Sequence, residues 1–196
     1  KHDNSLGYPV KYIKPKDKVD IILTNPPFGG IEEDGIEDNF PANYKTKETA
    51  DLFLVLLMYK LKQTGRAAIV LPDGFLFGEG VKTAIKEKLL SEFNLHTIVR
   101  LPNGVFAPYT GINTNLLFLE RGTTQEIWFY EHQLPEGYKN YTKTKPNFLS
   151  QLSWMSLKRK RHGGALGKKQ TVRGKLVLMR LRLEGIILTS KILQRS

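Results

Sequence analysis

Four consecutive residues, Asn25, Pro26, Pro27 and Phe28, with Gly29 and Gly30 behind them, carry the clearest chemistry in this sequence. An exocyclic amine on a nucleobase is a poor nucleophile, because its lone pair is delocalised into the ring. The side-chain oxygen of Asn25 and the carbonyl of Pro26 can accept the two N–H hydrogens of such an amine. That favours a pyramidal nitrogen whose lone pair is aimed at an electrophile. Fixed dipoles of this sort stabilise developing charge, so no separate strong base is required. A ring at Phe28 can stack on the base, worth about 1–3 kcal/mol. A base inside a duplex is out of reach, so it must first be flipped out. Pro27 stiffens the corner, since proline fixes φ. The same residue types also make plain strand-ending turns.

The element that must position this corner is Val19-Asp20-Ile21-Ile22-Leu23-Thr24, an apolar, β-branched run that reads as a buried strand. Two prolines cannot continue it, and Asn25, preceding a proline, is pushed into an extended conformation. In an open α/β sheet, ligands sit at the carboxyl ends of strands, which is where the corner falls. Residues 1–18 read as a polar connector, broken by Gly7, Pro9 and Pro15. Residues 31–47 read as a solvated, mobile loop rather than a metal site, with an acidic cluster of Glu32, Glu33, Asp34, Glu37 and Asp38, which could order only when DNA or a partner arrives.

Residues 48–63 read as a helix, capped by Thr46 or Thr49, with Gly65 past its end. It is apolar on every side from 52 to 58, which predicts heavy burial against a sheet. Residues 66–71 read as the next strand, with a Pro72-Asp73-Gly74 turn beside the corner. Asp73 could touch substrate or cofactor, or simply make the turn. Residues 79–92 read as a second helix, with Val81, Ile85 and Leu89 inward and Lys82, Lys86 and Lys88 as a solvated face. Strands are expected at 97–101, 115–120 and 127–131. The aromatics of the 102–111 loop could hold a flipped base or pack in the core. Strand–helix alternation followed by paired strands reads as an α/β fold with a mostly parallel sheet and an antiparallel edge. Right-handed crossovers put the two helices on one face.

Among 196 residues Cys is absent, so there is no disulfide framework and no thiolate metal site. Four His without paired spacing argue against zinc. No apolar run approaches a membrane span and no signal peptide opens the chain, which points to a cytoplasmic setting. The formal charge of +11 looks like a nucleic-acid signature, but its distribution is uneven. Residues 152–196 hold twelve of the 30 Lys/Arg and one of the 19 acids, leaving eighteen of each sign in the first 151.

VDIILTNPPFGG resembles the catalytic motif of amino-group DNA methyltransferases that use S-adenosyl-L-methionine. The stretch NFPANYKTKETADLFLVLLMYKLKQTGRAAIVLPDGFLFGEGVKTAIKEKLLSEFNLHTIVRLPNGVFAPYTGINTNLLFLERG, then EIWFYEHQLPEGYKNYTKTKP, is similar to the methylation subunit of type I restriction–modification systems. The resemblance covers roughly residues 3 to 154. It implies adenine-N6 methylation of double-stranded DNA, with Asn25, Pro26, Pro27 and Phe28 as the catalytic corner. It implies partners too: a specificity subunit, a second methylation subunit and a restriction subunit. Methyltransferases of RNA or of protein glutamine also use Asn-Pro-Pro-aromatic corners, but the long downstream similarity favours DNA. In that family the cofactor sits on a Gly-rich turn upstream of the corner, and nothing here supplies it. Residues 1–151 are therefore expected to be a partial Rossmann-like methyltransferase domain without the cofactor-binding strands. Alone, it should be inactive and either unstable or sticky.

Residues 152–196 are expected to be an irregular basic tail. The run Lys158-Arg159-Lys160-Arg161 looks like a nucleic-acid arm. With free codon choice, residues 185–193 can be read in another frame as Tyr-Asn-Leu-Asp-Ile-Lys-Asn-Pro, similar to the family's usual ending. On that reading the tail is out of frame and largely disordered, and the gene's nucleotide sequence decides it. A second class of function stays open: a non-catalytic module that docks DNA or partner subunits through this tail. Deleting 155–196 separates the two, since only the docking function depends on it.

Overall fold

The computed structural model describes residues 3–132, residue 134 and the backbone course of 174–180. Its centre is a six-stranded sheet in the order β1-β2-β4-β3-β5-β6. The strands are β1 (Val19–Thr24), β2 (Leu61–Pro72), β3 (Phe93–Arg100), β4 (Thr114–Arg121), β5 (Glu126–His132) and β6 (Gly174–Arg180). β1, β2, β3 and β5 run in one direction, and β4 and β6 oppose them. The antiparallel edge is β6, which lies within the stretch expected to be an irregular tail, and the two late strands expected to pair, β4 and β5, are separated by β3. The other antiparallel strand, β4, lies inside the sheet between β2 and β3, a place the sequence pattern does not indicate. The rest of the tail, with the Lys158–Arg161 run and the out-of-frame reading of 185–193, lies outside the described residues.

The helices are α1 (Thr49–Lys60), the short α2 (Asp73–Phe77) and α3 (Val81–Glu92). α1 buries Leu52, Leu54, Val55, Leu57 and Met58, as its apolar sequence predicts, and α3 buries Ile85, Leu89 and Leu90. These residues share one core with Ala67, Ile69 and Leu71 of β2, Leu95 and Ile98 of β3, and Leu117 and Leu119 of β4. Side chains alternate across a strand, and an irregularity between Leu95 and Thr97 keeps Leu95 and Ile98 on the same side, so these positions place both helices on one face, as expected. No described helix is long and apolar enough to cross a membrane.

Four expectations need correction. First, β1 is not a buried strand. Ile21 is 60% and Leu23 78% exposed, because β1 pairs only with β2 and its second face carries no described helix. Second, α1 stops at Lys60 rather than 63, and β2 begins at once with Leu61, which is fully buried. Two carbonyls at this junction, of Met58 and Leu61, accept hydrogen bonds from Arg121 Nη2 at 2.8 and 3.2 Å, and the guanidinium lies over the Phe93 ring. Gly65 falls inside β2, where a Cβ would strike Leu61 and the Asp20 carbonyl.

Third, the lysines of α3 are not a solvated face. Lys82 pairs with buried Asp51 of α1 and with Glu48. Lys86 is 4% exposed and donates to the carbonyls of Leu76 and Gly78, closing the end of α2, while burial pushes its amine down. Lys88 bonds Glu92 one turn on. Fourth, the acidic residues of 31–47 are solvated at Glu33, Asp34 and Asp38, as expected, but several are tied across the segment: Asp34 pairs with Lys47, Asp38 with Lys45, and Glu32 with Thr49 and Asn4.

Candidate active site

β1 delivers its chain to the carboxyl edge of the sheet, and the corner stands there. Asn25 is exposed, Pro26 buried, Pro27 exposed and Phe28 half-buried. Among the described residues the Asn25 side chain makes no hydrogen bond, so both ends of its amide are available to a ligand. Proline rings at 26 and 27 hold the backbone beneath it. Behind Phe28 the chain turns back at Gly29, whose φ of 67° suits glycine.

Gly30 then approaches α1 so closely that a Cβ would lie 2.8 Å from Thr49 Oγ1. Its carbonyl accepts the Thr49 N–H at 3.0 Å. Neither Thr46 nor Thr49 caps α1 through its side chain, as the sequence suggested one would. The first N–H of the helix is satisfied instead by the segment that carries the corner. Thr49 Oγ1 donates to Glu32 at 2.7 Å, and Asn4 to the other oxygen of Glu32 at 2.9 Å. The corner is thus braced from both sides of its exit.

β2 ends alongside. Thr24, the last residue of β1, registers with Ile69, and β2 continues to Pro72, with Asp73 next in the chain. Asp73 accepts two bonds from Arg100 and one from Asn115. The sequence flagged Asp73 but neither of its partners.

Residues 101–113 link β3 to β4 and carry the second aromatic. Phe106 lies against Phe28 with centroids 5.1 Å apart. Ile112 Cδ1 comes within 4.0 Å of where a Cβ on Gly29 would stand, so this loop walls the corner. Tyr109, at the tip, is 91% exposed. The Ala107–Pro108 peptide bond is cis.

No described strand ends in a glycine-rich strand-to-helix turn. β1 ends in the Asn-Pro-Pro-Phe corner, β2 enters α2 at Asp73, and β3 enters the 101–113 loop. Among the described residues no cluster of His, Asp and Glu could hold a metal ion. The described residues do not fit a complete site for a nucleotide-bearing methyl donor. What they form is an exposed corner that carries a free amide, with two aromatic rings in contact behind it.

A mostly parallel α/β sheet with an inserted antiparallel strand, and a polar corner at its carboxyl edge, defines a Rossmann-like methyltransferase fold. The chain belongs to the N-6 DNA Methylase family, whose model matches residues 1–154. It is 61% identical over 159 residues to the type I restriction enzyme EcoEI methylase subunit of Escherichia coli, covering 79% of this chain and 32% of that one. The chain thus spans about a third of the length of this curated relative. A crystal structure of a modification subunit of a putative type I restriction enzyme from Vibrio vulnificus YJ016 superposes with a TM-score of 0.72 at 45% identity, over 98% of this chain and 43% of that one. A chain from a structural study of complex assembly and conformational transition in the type I R-M system also gives a TM-score of 0.72. It is 36% identical over 91% of this chain and 38% of its own.

Proposed function

We propose that this chain is the adenine-handling part of a type I methylation subunit. In the intact enzyme it holds a flipped adenine for methylation at N6. The observation that carries the reading is the Asn25 side chain, exposed and without a hydrogen bond among the described residues, on a proline-stiffened corner whose Phe28 ring meets Phe106. Asn25 Oδ1 and the Pro26 carbonyl accept the two hydrogens of the adenine amine. Gathering both acceptors on one side turns the nitrogen lone pair toward the donor. Once the nitrogen bonds a methyl group its remaining protons are acidic, so one leaves without a strong base. Phe28 stacks on the base, and Phe106, in contact with Phe28, flanks it from the loop side. Because these dipoles are already fixed, little reorganisation accompanies the reaction.

The donor implied by the family, S-adenosyl-L-methionine, supplies an electrophilic methyl group. On this reading residues other than those described hold it, and the chain alone does not methylate. Double-stranded DNA is the substrate. A specificity subunit, a second methylation subunit and a restriction subunit are the partners. Similarity to type I methylase subunits along most of the chain supports this assignment.

The test is Asn25→Ala in the full-length subunit, assembled with its specificity subunit. Methyl transfer should fall by at least about a hundredfold, as when one preorganised polar group is removed from an active site. DNA binding should persist, because Asn25 is exposed and supports no described contact. Wild-type methylation by this variant refutes the role.

A further inference from the structure

We infer that Asp73, Arg100 and Asn115 form a clasp that sets the aromatic loop at its working angle to the Asn25–Phe28 corner, and that they are positioning residues for capture of the base. The inference rests on the adenine-handling reading above.

The loop leaves β3 after Arg100 and enters β4 just before Asn115, so these residues are its two stems. They register opposite one another across β3 and β4. Both turn their side chains to a single carboxylate. Arg100 donates from Nη1 to Asp73 Oδ1 at 3.3 Å and from Nη2 to Oδ2 at 2.7 Å, and Asn115 donates from Nδ2 to Oδ1 at 2.6 Å. Asp73 stands at the end of β2, the strand paired with β1, and β1 ends in the corner. One carboxylate therefore joins the strand pair that presents Asn25 to the loop that presents Phe106.

Closing the loop does not require the clasp. Backbone bonds already close it: Leu101 N–H donates to the Thr114 carbonyl, and Asp73 N–H donates to the Asn113 carbonyl, each at 3.0 Å. What a two-armed guanidinium adds is direction. Asn115 makes the same point. It is fully buried, and its Oδ1 has no partner among the described residues. A buried amide with an unsatisfied oxygen costs stability, which an apolar residue at this strand position would avoid. The one bond the amide does make goes to Asp73. Downstream of the clasp, the loop brings Phe106 onto Phe28 and Ile112 against Gly29. A small rotation of the stems would carry both away from the corner.

The test uses the full-length subunit in its methylation complex, with Asp73→Asn and Arg100→Lys. Single-turnover methylation is measured on a matched duplex and on one whose target adenine is mispaired. Misplacing a base-holding wall should slow the matched reaction by about a hundredfold for Asp73→Asn. The half-saturating DNA concentration should change much less. Mispairing lowers the cost of extruding the base, so it should restore much of the lost rate, which it would not do for a merely unfolded variant. Arg100→Lys keeps the charge and loses the fork. It should fold normally and show a smaller loss with the same rescue. A wild-type rate for Arg100→Lys on matched DNA, or a loss that mispairing fails to relieve, overturns the clasp. Asn25→Ala runs beside them. If that variant is active, the adenine-handling reading itself fails. If it is inactive while both clasp variants are fully active, only the clasp fails.

Discussion

Phe106 meets Phe28 edge to face, their ring planes inclined at 70°, although 78 positions separate them in the chain. Neither ring is fully buried, so the pair is a surface feature at the corner rather than part of the core. Such a contact contributes about 0.5–1.5 kcal/mol beyond area burial, modest for the fold but well placed for a base.

Replacing Phe106 by Ala should therefore weaken capture of the target base much more than it weakens the fold. Loss of one stacking ring removes about 1–3 kcal/mol of base-holding energy. Phe106→Tyr, which keeps the ring, should be nearly neutral. The measurement is the affinity of the intact enzyme for DNA with a mispaired target adenine, set beside its melting temperature. A parallel fall in both would mean that Phe106 is simply structural.

The ion pair between Lys82 and Asp51 makes a prediction about pH. Burial raises the Asp51 carboxyl above its ordinary value of 3.8, and the hydrogen bond from Lys82 opposes the shift without cancelling it. A carboxyl raised in the folded state contributes stability that is fully present below 3.8 and lost as pH rises through the raised pKa. Asp51→Asn removes that titration. Urea melts from acid to neutral pH should show wild type at its most favourable, relative to Asp51→Asn, at the acid end. If wild type instead gains on the variant as pH rises, attraction to Lys82 outweighs burial.

The second face of the sheet predicts behaviour in solution. Ile21 and Leu23 lie beside Arg66 and Ala68, with Phe118 and Trp128 further along the same face. Leu23→Lys in the 196-residue chain should change stability by less than about 0.5 kcal/mol, as exposed substitutions do. It should also reduce binding of a dye that reports apolar surface. A large loss of stability would mean that something covers Leu23.

The corner itself was legible in the sequence, because it depends on short-range chemistry: two prolines after an apolar run. The burial of α1, and of Ile85 and Leu89 on α3, was legible for a similar reason, since an all-apolar run and a helical repeat both show within a dozen residues. What escaped depends on distant partners. Lys82 and Lys86 look solvated in sequence because nothing nearby reveals Asp51, thirty-one positions upstream of Lys82, or the carbonyls that end α2. Arg100 gave no signal of its own. Asn115 gave a faint one, an amide opening an otherwise apolar strand, where burial without a partner would be costly. The exposure of β1 was hidden because an apolar run has the same composition whether or not a neighbour covers it.

The position of β4 has a consequence for how the chain reaches its final form. Leu116 registers with Val70 on one side and with Val99 on the other, so β4 fills a slot between two strands made earlier. As the polypeptide leaves the ribosome, β2 and β3 emerge before the strand that joins them. Until residue 121 is out, each offers an apolar, unpaired border to any other extended segment nearby. The nascent chain is therefore open to mispairing along these two facing borders until one reversed strand is inserted between them.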